Sequence, residues 1–206
     1  RQPWHWAGSD WNAQGSGKQW TGAAADSHSE RALALAAVQK DWRALRRLGK
    51  RFKADHEIVL TAVKSDARAL KWAGDNCKSN REIVLTAVRQ NSDALEWAAE
   101  NCRSDCEIML AAVRQHWGAL AWAAGDSRSD REIMLAAVEQ TWCALEFLAE
   151  TFRSDREVVL AAVEQHGGWR AFEFAAENCR CNREIVLAAI EQDNGWRALE
   201  YASENC

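Results

Sequence analysis

The hydrophobic positions of this chain recur with a fixed period. The block Arg-Glu-Ile-Val-Leu-Thr-Ala-Val at 81–88 has related copies at 31–38, 56–63, 106–113, 131–138, 156–163 and 183–190. The ends of successive blocks are 25 residues apart five times and 27 residues apart at the last step. A second block, Ala-Leu-Glu-Trp-Ala-Ala at 94–99, has copies at 119–124, 144–149, 171–176 and 198–203. Seven copies in register predict a repeat architecture.

Each repeat is predicted to form two helices. The first begins with a serine, as at Ser79, and has a glutamate three residues later, as at Glu82, which is the pattern of a capping box. The Asp or Asn between these two residues is an alternative cap. The first helix is apolar nearly all round, so neighbours should enclose it.

The second helix is predicted to be amphipathic. Leu95, Ala98, Ala99 and Cys102 follow the i, i+3, i+4, i+7 spacing of one helical face. Helices of about ten residues are marginal alone in water, so stacking of the repeats must bury a continuous core. From this reasoning we expect a loss of roughly 2–5 kcal/mol on truncating Leu95 to alanine.

The predicted fold class is therefore all-α, an α-solenoid of seven two-helix repeats of 25–27 residues. The solenoid spans residues 29–206, and its repeats start near residues 29, 54, 79, 104, 129, 154 and 181. The last two repeats carry a two-residue insertion, at 166–169 and 193–196. Cys206 falls at the normal end of a second helix without a polar cap, which predicts that the natural chain continues or that another protein covers the last layer.

The two recurring blocks resemble a family of tandem short helical repeats whose function is unknown. The resemblance is carried by Asp-Arg-Glu-Ile-Met-Leu-Ala-Ala-Val at 130–138, Asp-Arg-Glu-Val-Val-Leu-Ala-Ala-Val at 155–163 and Trp-Arg-Ala-Leu-Glu-Tyr-Ala-Ser at 196–203. It covers residues 29–206 and implies a helical repeat module. The family is common in unicellular algae, including dinoflagellates, and it brings no catalytic residues. The first repeat departs most from its pattern, with Arg46 and Arg47 where a glutamate and an aromatic residue usually stand.

The chain has no run of 18 apolar residues, so no transmembrane span is predicted, and no signal-peptide pattern opens it. Four of its seven cysteines, Cys77, Cys102, Cys179 and Cys206, share one repeat position, where Phe52, Ser127 and Phe152 also occur. A position that accepts phenylalanine is buried, and a buried cysteine acts as a small hydrophobe.

Equivalent positions of adjacent layers should lie about 8–10 Å apart, beyond the roughly 7 Å that a disulfide spans. We therefore expect reduced thiols and an intracellular, reducing compartment, either the cytosol or an organelle such as a plastid. The pairs Cys102/Cys106 and Cys179/Cys181 lack the spacing of zinc sites, so no metal or other cofactor is predicted.

Aromatic residues form two ladders. The first opens the second helix of five repeats and consists of Trp42, Trp117, Trp142, Trp169 and Trp196. The second consists of Trp72, Trp97, Trp122, Phe147, Phe174 and Tyr201. The favoured interpretation is packing between neighbouring repeats, because aromatic side chains supply much buried area. The alternative is an exposed edge that grips a partner, with Trp72, Trp97 and Trp122 as the candidate residues.

Charge is distributed unevenly along the chain. Residues 1–54 hold 10 Lys+Arg and 4 Asp+Glu, a formal charge of +6, and residues 55–206 hold 16 and 26, a formal charge of −10. The candidate partner-binding residues of the first repeat are Arg43, Arg46, Arg47, Lys50, Arg51 and Lys53. They form either a polar end cap or a docking patch for an acidic protein, anionic lipid or nucleic acid. Nucleic acid is the least favoured target, because the acidic remainder would repel phosphates.

Residues 1–28 form a Trp- and Gly-rich arm without helical or strand period. Its candidate partner-binding residues are Trp4, Trp6, Trp11 and Trp20. Four tryptophans are unusual for plain disorder, so we expect the arm to order against a partner or against the flank of the array.

No catalytic motif or phosphate-binding loop occurs, so an enzyme is not expected. The recurring Glu96, Glu146, Glu173 and Glu200 indicate a solvated face. The predicted function is a non-catalytic protein-interaction or scaffold module, an accessory subunit of a larger assembly. A peripheral subunit of an organellar membrane complex, such as a photosynthetic one, is one form of it. The alternative from another class is a nucleic-acid-binding helical repeat, which a steep salt dependence of binding would reveal.

Overall fold

The computed structural model describes residues 23–192 and 194–201. These residues form seven helical repeats and contain no β-strand, which confirms the all-α repeat prediction. The first helices of the repeats are Ala23–Lys40, His56–Ser65, Arg81–Gln90, Cys106–Gln115, Arg131–Val138, Arg156–Val163 and Arg183–Ile190. Trp4, Trp6, Trp11, Trp20 and Cys206 lie outside the described residues.

A six-residue 3-10 helix follows each first helix. These 3-10 helices are Trp42–Arg47, Ala67–Trp72, Ser92–Trp97, Trp117–Trp122, Trp142–Phe147, Gly168–Glu173 and Gly195–Glu200. A third, short helix then closes the first six repeats. The short helices are Lys50–Lys53, Asp75–Lys78, Glu100–Arg103, Gly125–Ser129, Glu150–Arg153 and Glu177–Arg180.

The predicted second helix is therefore two helices separated by extended residues, and the prediction of one continuous amphipathic helix was wrong. Ala98 and Ala99 have ψ angles of 148° and 160° and end the helical path between Leu95 and Cys102. The cause is a hydrogen bond across the stack, since the Ala99 N–H donates to the carbonyl of Lys78 in the preceding repeat at 3.0 Å. Leu95, Ala98 and Cys102 are nevertheless buried, as predicted.

The first helices from the second repeat onward are capped by the Asp or Asn that precedes them. The Asp105 carboxylate, for example, accepts from the N–H groups of Glu107 and Ile108 at 3.0 and 3.1 Å. The serine of the predicted capping box has another role, because the Ser79 hydroxyl donates to the carbonyl of Asp75 at 2.8 Å. Of the two caps that the sequence allowed, the acidic or amide residue is the one used.

The core is a continuous layer of small and branched apolar side chains. Each first helix packs against the first helix of the next repeat. In the second repeat, Ile58, Val59, Ala62 and Val63 are all fully buried, and the third to sixth repeats bury the same positions. Glutamines at the helix ends add polar bonds between layers, as where Gln90 donates to the carbonyl of Val63 at 2.8 Å.

The two-residue insertion in the last two repeats produces a left-handed turn. Gly167 and Asn194 have φ angles of 72° and 61°. The glycine that follows each turn lies against a backbone carbonyl, so that a Cβ on Gly168 would meet the oxygen of Val163 at 2.3 Å. Glycine is required at this close approach because no other residue lacks the Cβ atom.

The shared cysteine position belongs to the core. Cys77, Cys102 and Cys179 are at most 2% exposed, which confirms the prediction for the three described residues. Burial raises the pKa of each of these thiols. The six cysteines of the described region are free thiols.

Candidate interaction surfaces

The basic residues of the first repeat lie on its 3-10 helix and short helix. Arg43, Arg46, Arg47, Lys50 and Arg51 are exposed, and Lys53 is half-buried. Leu45 and Trp42 anchor the same segment in the core. The guanidinium of Arg43 stacks on the ring of Trp42, 4.8 Å from its centroid, and lies 3.7 Å from the Asp41 carboxylate.

Most of this cluster carries uncompensated charge. Arg51 is paired with Glu30. Arg46, Arg47, Lys50 and Lys53 have no carboxylate partner within the described residues. An exposed guanidinium or ammonium without a partner keeps its full field toward solvent, so this patch can attract an anionic surface.

Four arginines on the first helices have the opposite character. Arg31 donates to the carboxylates of Asp55 and Glu57 in the next repeat, at 2.7 and 2.6 Å. Arg81 and Arg131 make the same two pairs with the repeats that follow them, and Arg156 pairs with Glu184. The hydrogen bond from Arg31 is the main reason that the pKa of Asp55 is lowered. These arginines hold adjacent repeats together, whereas Arg46, Arg47, Lys50 and Lys53 make no ion pair between repeats within the described residues.

The two aromatic ladders meet across the junctions between repeats. Trp42 stacks on Trp72 of the second repeat with ring centroids 5.3 Å apart. The pairs Trp117–Phe147 and Trp142–Phe174 repeat this contact at 5.5 and 6.4 Å. An aromatic residue of the second ladder thus packs against the tryptophan that opens the preceding 3-10 helix.

The candidate edge residues Trp72, Trp97 and Trp122 are half-buried and packed against the core. Trp72 has a ring partner, as described. The position that Trp42 occupies opposite Trp72 is Ala67 in the repeat before Trp97 and Ser92 in the repeat before Trp122. Neither Trp97 nor Trp122 therefore has a ring of the first ladder opposite it. The ammonium of Lys71 lies 5.9 Å from the ring centroid of Trp97.

Two features of the surface escaped the sequence reasoning. Phe147 is 64% exposed although its ladder neighbours are half-buried. It borders a cavity of about 590 Å³ between the fourth and fifth repeats. The available signal was Gly118 and Ala121, which replace longer side chains at positions where most other repeats carry charge.

In the described region, no group of three or more His, Cys, Asp or Glu residues is placed to hold a metal ion. Among those residues, no helix combines the length and the apolar character needed to cross a bilayer.

Stacked three-element repeats with a shared apolar core define the chain as an all-α tandem-repeat protein. The model of the domain of unknown function DUF4116 matches it four times, at residues 31–78, 80–124, 130–178 and 168–205. The chain belongs to this family. No curated protein and no solved structure matches it.

Proposed function

We propose that the protein is a non-catalytic interaction module that acts as an accessory subunit of a larger assembly. The observation that carries this proposal is the free basic cluster of the first repeat. Four of its cations have no carboxylate partner in the described region, although arginines of the first helices there pair with carboxylates of the next repeat. Cations held on a rigid repeat without internal partners are suited to bind an acidic surface.

A second observation gives the proposed surface a direction. In every repeat, the residue that directly precedes the position of the second aromatic ladder is exposed. It is basic in the first two repeats, as Arg46 and Lys71, and Ala121 in the fourth. The other four repeats carry Glu96, Glu146, Glu173 and Glu200. One row of the array thus changes from positive to negative, and a partner with the opposite sequence of charges would bind in a single orientation.

The expected partner is an acidic protein, and the compartment is a reducing one because core positions hold free thiols. Resemblance to repeats of unicellular algae motivates a narrower form of the proposal, a peripheral subunit of an organellar membrane complex. Nucleic acid stays the second candidate, and only the basic first repeat favours it. The net charge of −10 over residues 55–206 opposes phosphate binding along the rest of the array.

The test compares two charge-reversal variants in the source cell. The triple variant Arg46→Glu/Arg47→Glu/Lys50→Glu removes the free cluster. The control Lys64→Glu/Arg89→Glu/Arg114→Glu makes the same charge change at exposed positions of the first helices. Proteins that co-purify with each form are quantified by mass spectrometry, and complex size is measured by sedimentation.

We expect the cluster variant to lose its partners and the control to keep them. The proposal fails if the native protein sediments alone or if both variants keep the same partners. If nucleic acid is bound instead, the logarithm of the affinity should fall steeply with the logarithm of salt concentration.

A further inference from the structure

The junction between the fourth and fifth repeats differs from the four other junctions at which the structure describes the corresponding N–H group. At four junctions a backbone N–H reaches the short helix of the preceding repeat. These bonds run from Gly74 to Lys53, from Ala99 to Lys78, from Ala124 to Arg103 and from Ala176 to Arg153, at 2.7 to 3.2 Å. The equivalent Ala149 N–H makes no hydrogen bond within the described residues, and Ala149 is exposed.

The short helix of the fourth repeat explains the missing bond. Its residues Gly125–Ser129 are wound as a 3-10 helix, and Gly125 has a φ of 50°. Ser127 replaces the cysteine or phenylalanine of the other repeats and donates to the carbonyl of Arg103 at 2.8 Å. Arg128 folds back, and its Nε donates to the carbonyl of Ala123 at 2.6 Å. The segment that would supply a carbonyl to Ala149 is thus wound differently from the short α-helices of the other repeats.

Two small side chains leave additional space at the junction between the fourth and fifth repeats. Ala121 stands where the other repeats carry Arg, Lys or Glu, and Gly118 stands where they carry Arg, Asp or Cys. The result is the cavity of about 590 Å³, a volume typical of sites for small organic molecules. Leu120 on its wall is only half-buried, whereas the equivalent Leu95 is fully buried.

The walls of the cavity combine aromatic surface with one positive charge. Trp117 and Phe147 supply two rings, inclined at 42° to each other, and Met134 and Leu148 supply aliphatic surface. Arg128 is the charged residue among those that line it. The guanidinium and the free N–H of Ala149 are both donors, so they call for an acceptor group, and a carboxylate forms the stronger, charge-assisted bonds.

We propose that this cavity binds a small aromatic monocarboxylate. The ring system packs against Trp117 and Phe147, where aromatic pairs add to the energy of simple burial. The carboxylate accepts hydrogen bonds from Arg128 and from the backbone of Ala149. This site is separate from the basic cluster of the first repeat, and its existence does not depend on the proposed protein partner.

The test uses 2-naphthoate as the probe and 2-naphthamide as its uncharged match. Binding to the full chain is measured by calorimetry and by tryptophan fluorescence. We expect naphthoate to bind at least about tenfold more tightly than naphthamide, since hydrogen bonds to charged groups are worth more than neutral ones. Arg128→Gln should remove that preference and leave naphthamide binding unchanged.

A second variant keeps the test independent of any folding defect in Arg128→Gln. Ala121→Glu installs a side chain that four other repeats carry at this position, so the fold accepts it, and its charge should weaken naphthoate binding about tenfold. The control is Glu96→Ala, the reverse change at the same position of the third repeat, which does not line the cavity and should leave the naphthoate affinity unchanged. Circular dichroism checks that each variant folds.

The proposal is overturned if the native chain does not bind naphthoate, or if it binds naphthamide equally well. It is also overturned if Ala121→Glu and Glu96→Ala have equal effects on naphthoate affinity.

Discussion

Truncation of Leu95 to alanine tests the stacking of the repeats most directly. Leu95 lies in the 3-10 helix Ser92–Trp97 of the third repeat and is fully buried in the core. Leu199 occupies the same position in the seventh repeat, where 53% of it is exposed. The same substitution can therefore be compared at two positions with the same local sequence, Ala-Leu-Glu followed by an aromatic residue. Leu95 is enclosed by its neighbours, and Leu199 is half exposed.

The expected losses follow from these exposures. Leucine to alanine removes three carbon groups, each worth about 0.8 kcal/mol of transfer free energy when buried. A cavity adds to this at Leu95, where neighbours enclose the side chain, so we expect a loss of about 3–4 kcal/mol, within the usual range for such sites. At Leu199 half of the side chain already meets solvent and no closed cavity forms, so we expect about 1 kcal/mol or less.

Urea unfolding followed by far-ultraviolet circular dichroism measures both losses. The slope of the transition must be compared among the three proteins, because a repeat array can lose cooperativity when a central layer is weakened. A loss below about 0.5 kcal/mol for Leu95→Ala would show that the register of the core is wrong. Equal losses for both variants would show that the stack does not enclose Leu95 more than Leu199.

Three further predictions concern an ion pair between repeats, a glycine turn and the thiols. Asp155→Asn keeps the helix cap, as asparagine does in two other repeats, but removes the ion pair with Arg131. Because that arginine lowers the pKa of Asp155, the stabilisation is complete above the ordinary aspartate pKa and is lost as the pH falls through the lowered value. Urea midpoints of wild type and variant should therefore differ slightly at neutral pH and converge in acid, and a difference that persists in acid would contradict this. Gly168→Ala should destabilise by about 1–3 kcal/mol through its carbonyl clash, while Gly49→Ala, which meets nothing within 4 Å, should be nearly neutral in the same assay. A thiol reagent followed by mass spectrometry should label the partly exposed Cys106, Cys143 and Cys181 well before the buried Cys77, Cys102 and Cys179, and equal rates would place the latter outside the core.

The part of the fold that sequence reasoning predicted is the part that local pattern controls. The apolar block of each repeat specified the first helix, and its buried face follows from helical geometry. The cap was narrowed to two neighbouring residues, but serine and aspartate compete for the same N–H groups, so only the backbone geometry selected Asp105 over Ser104.

The same division holds for the candidate surfaces. The basic cluster is visible in the sequence as a run of cations. The sequence does not show that these cations lack carboxylate partners, because Arg31 lies in the same charged region of the sequence and is paired with the next repeat. The aromatic ladders were visible as repeats, whereas the pairing of Trp42 with Trp72 joins residues 30 positions apart. The cavity left only the faint signal of Gly118 and Ala121.

The sequence by itself determined the period, the all-α character and the buried apolar positions, because each depends on side chains a few residues apart along one helix. Only the tertiary structure decided where the second helix breaks, which rings stack and where a cavity opens. Those features depend on atoms of the neighbouring repeat. The Ala99 N–H leaves the helical path to reach Lys78, whereas the Ala149 N–H has no such partner where the preceding short helix is wound as a 3-10 helix.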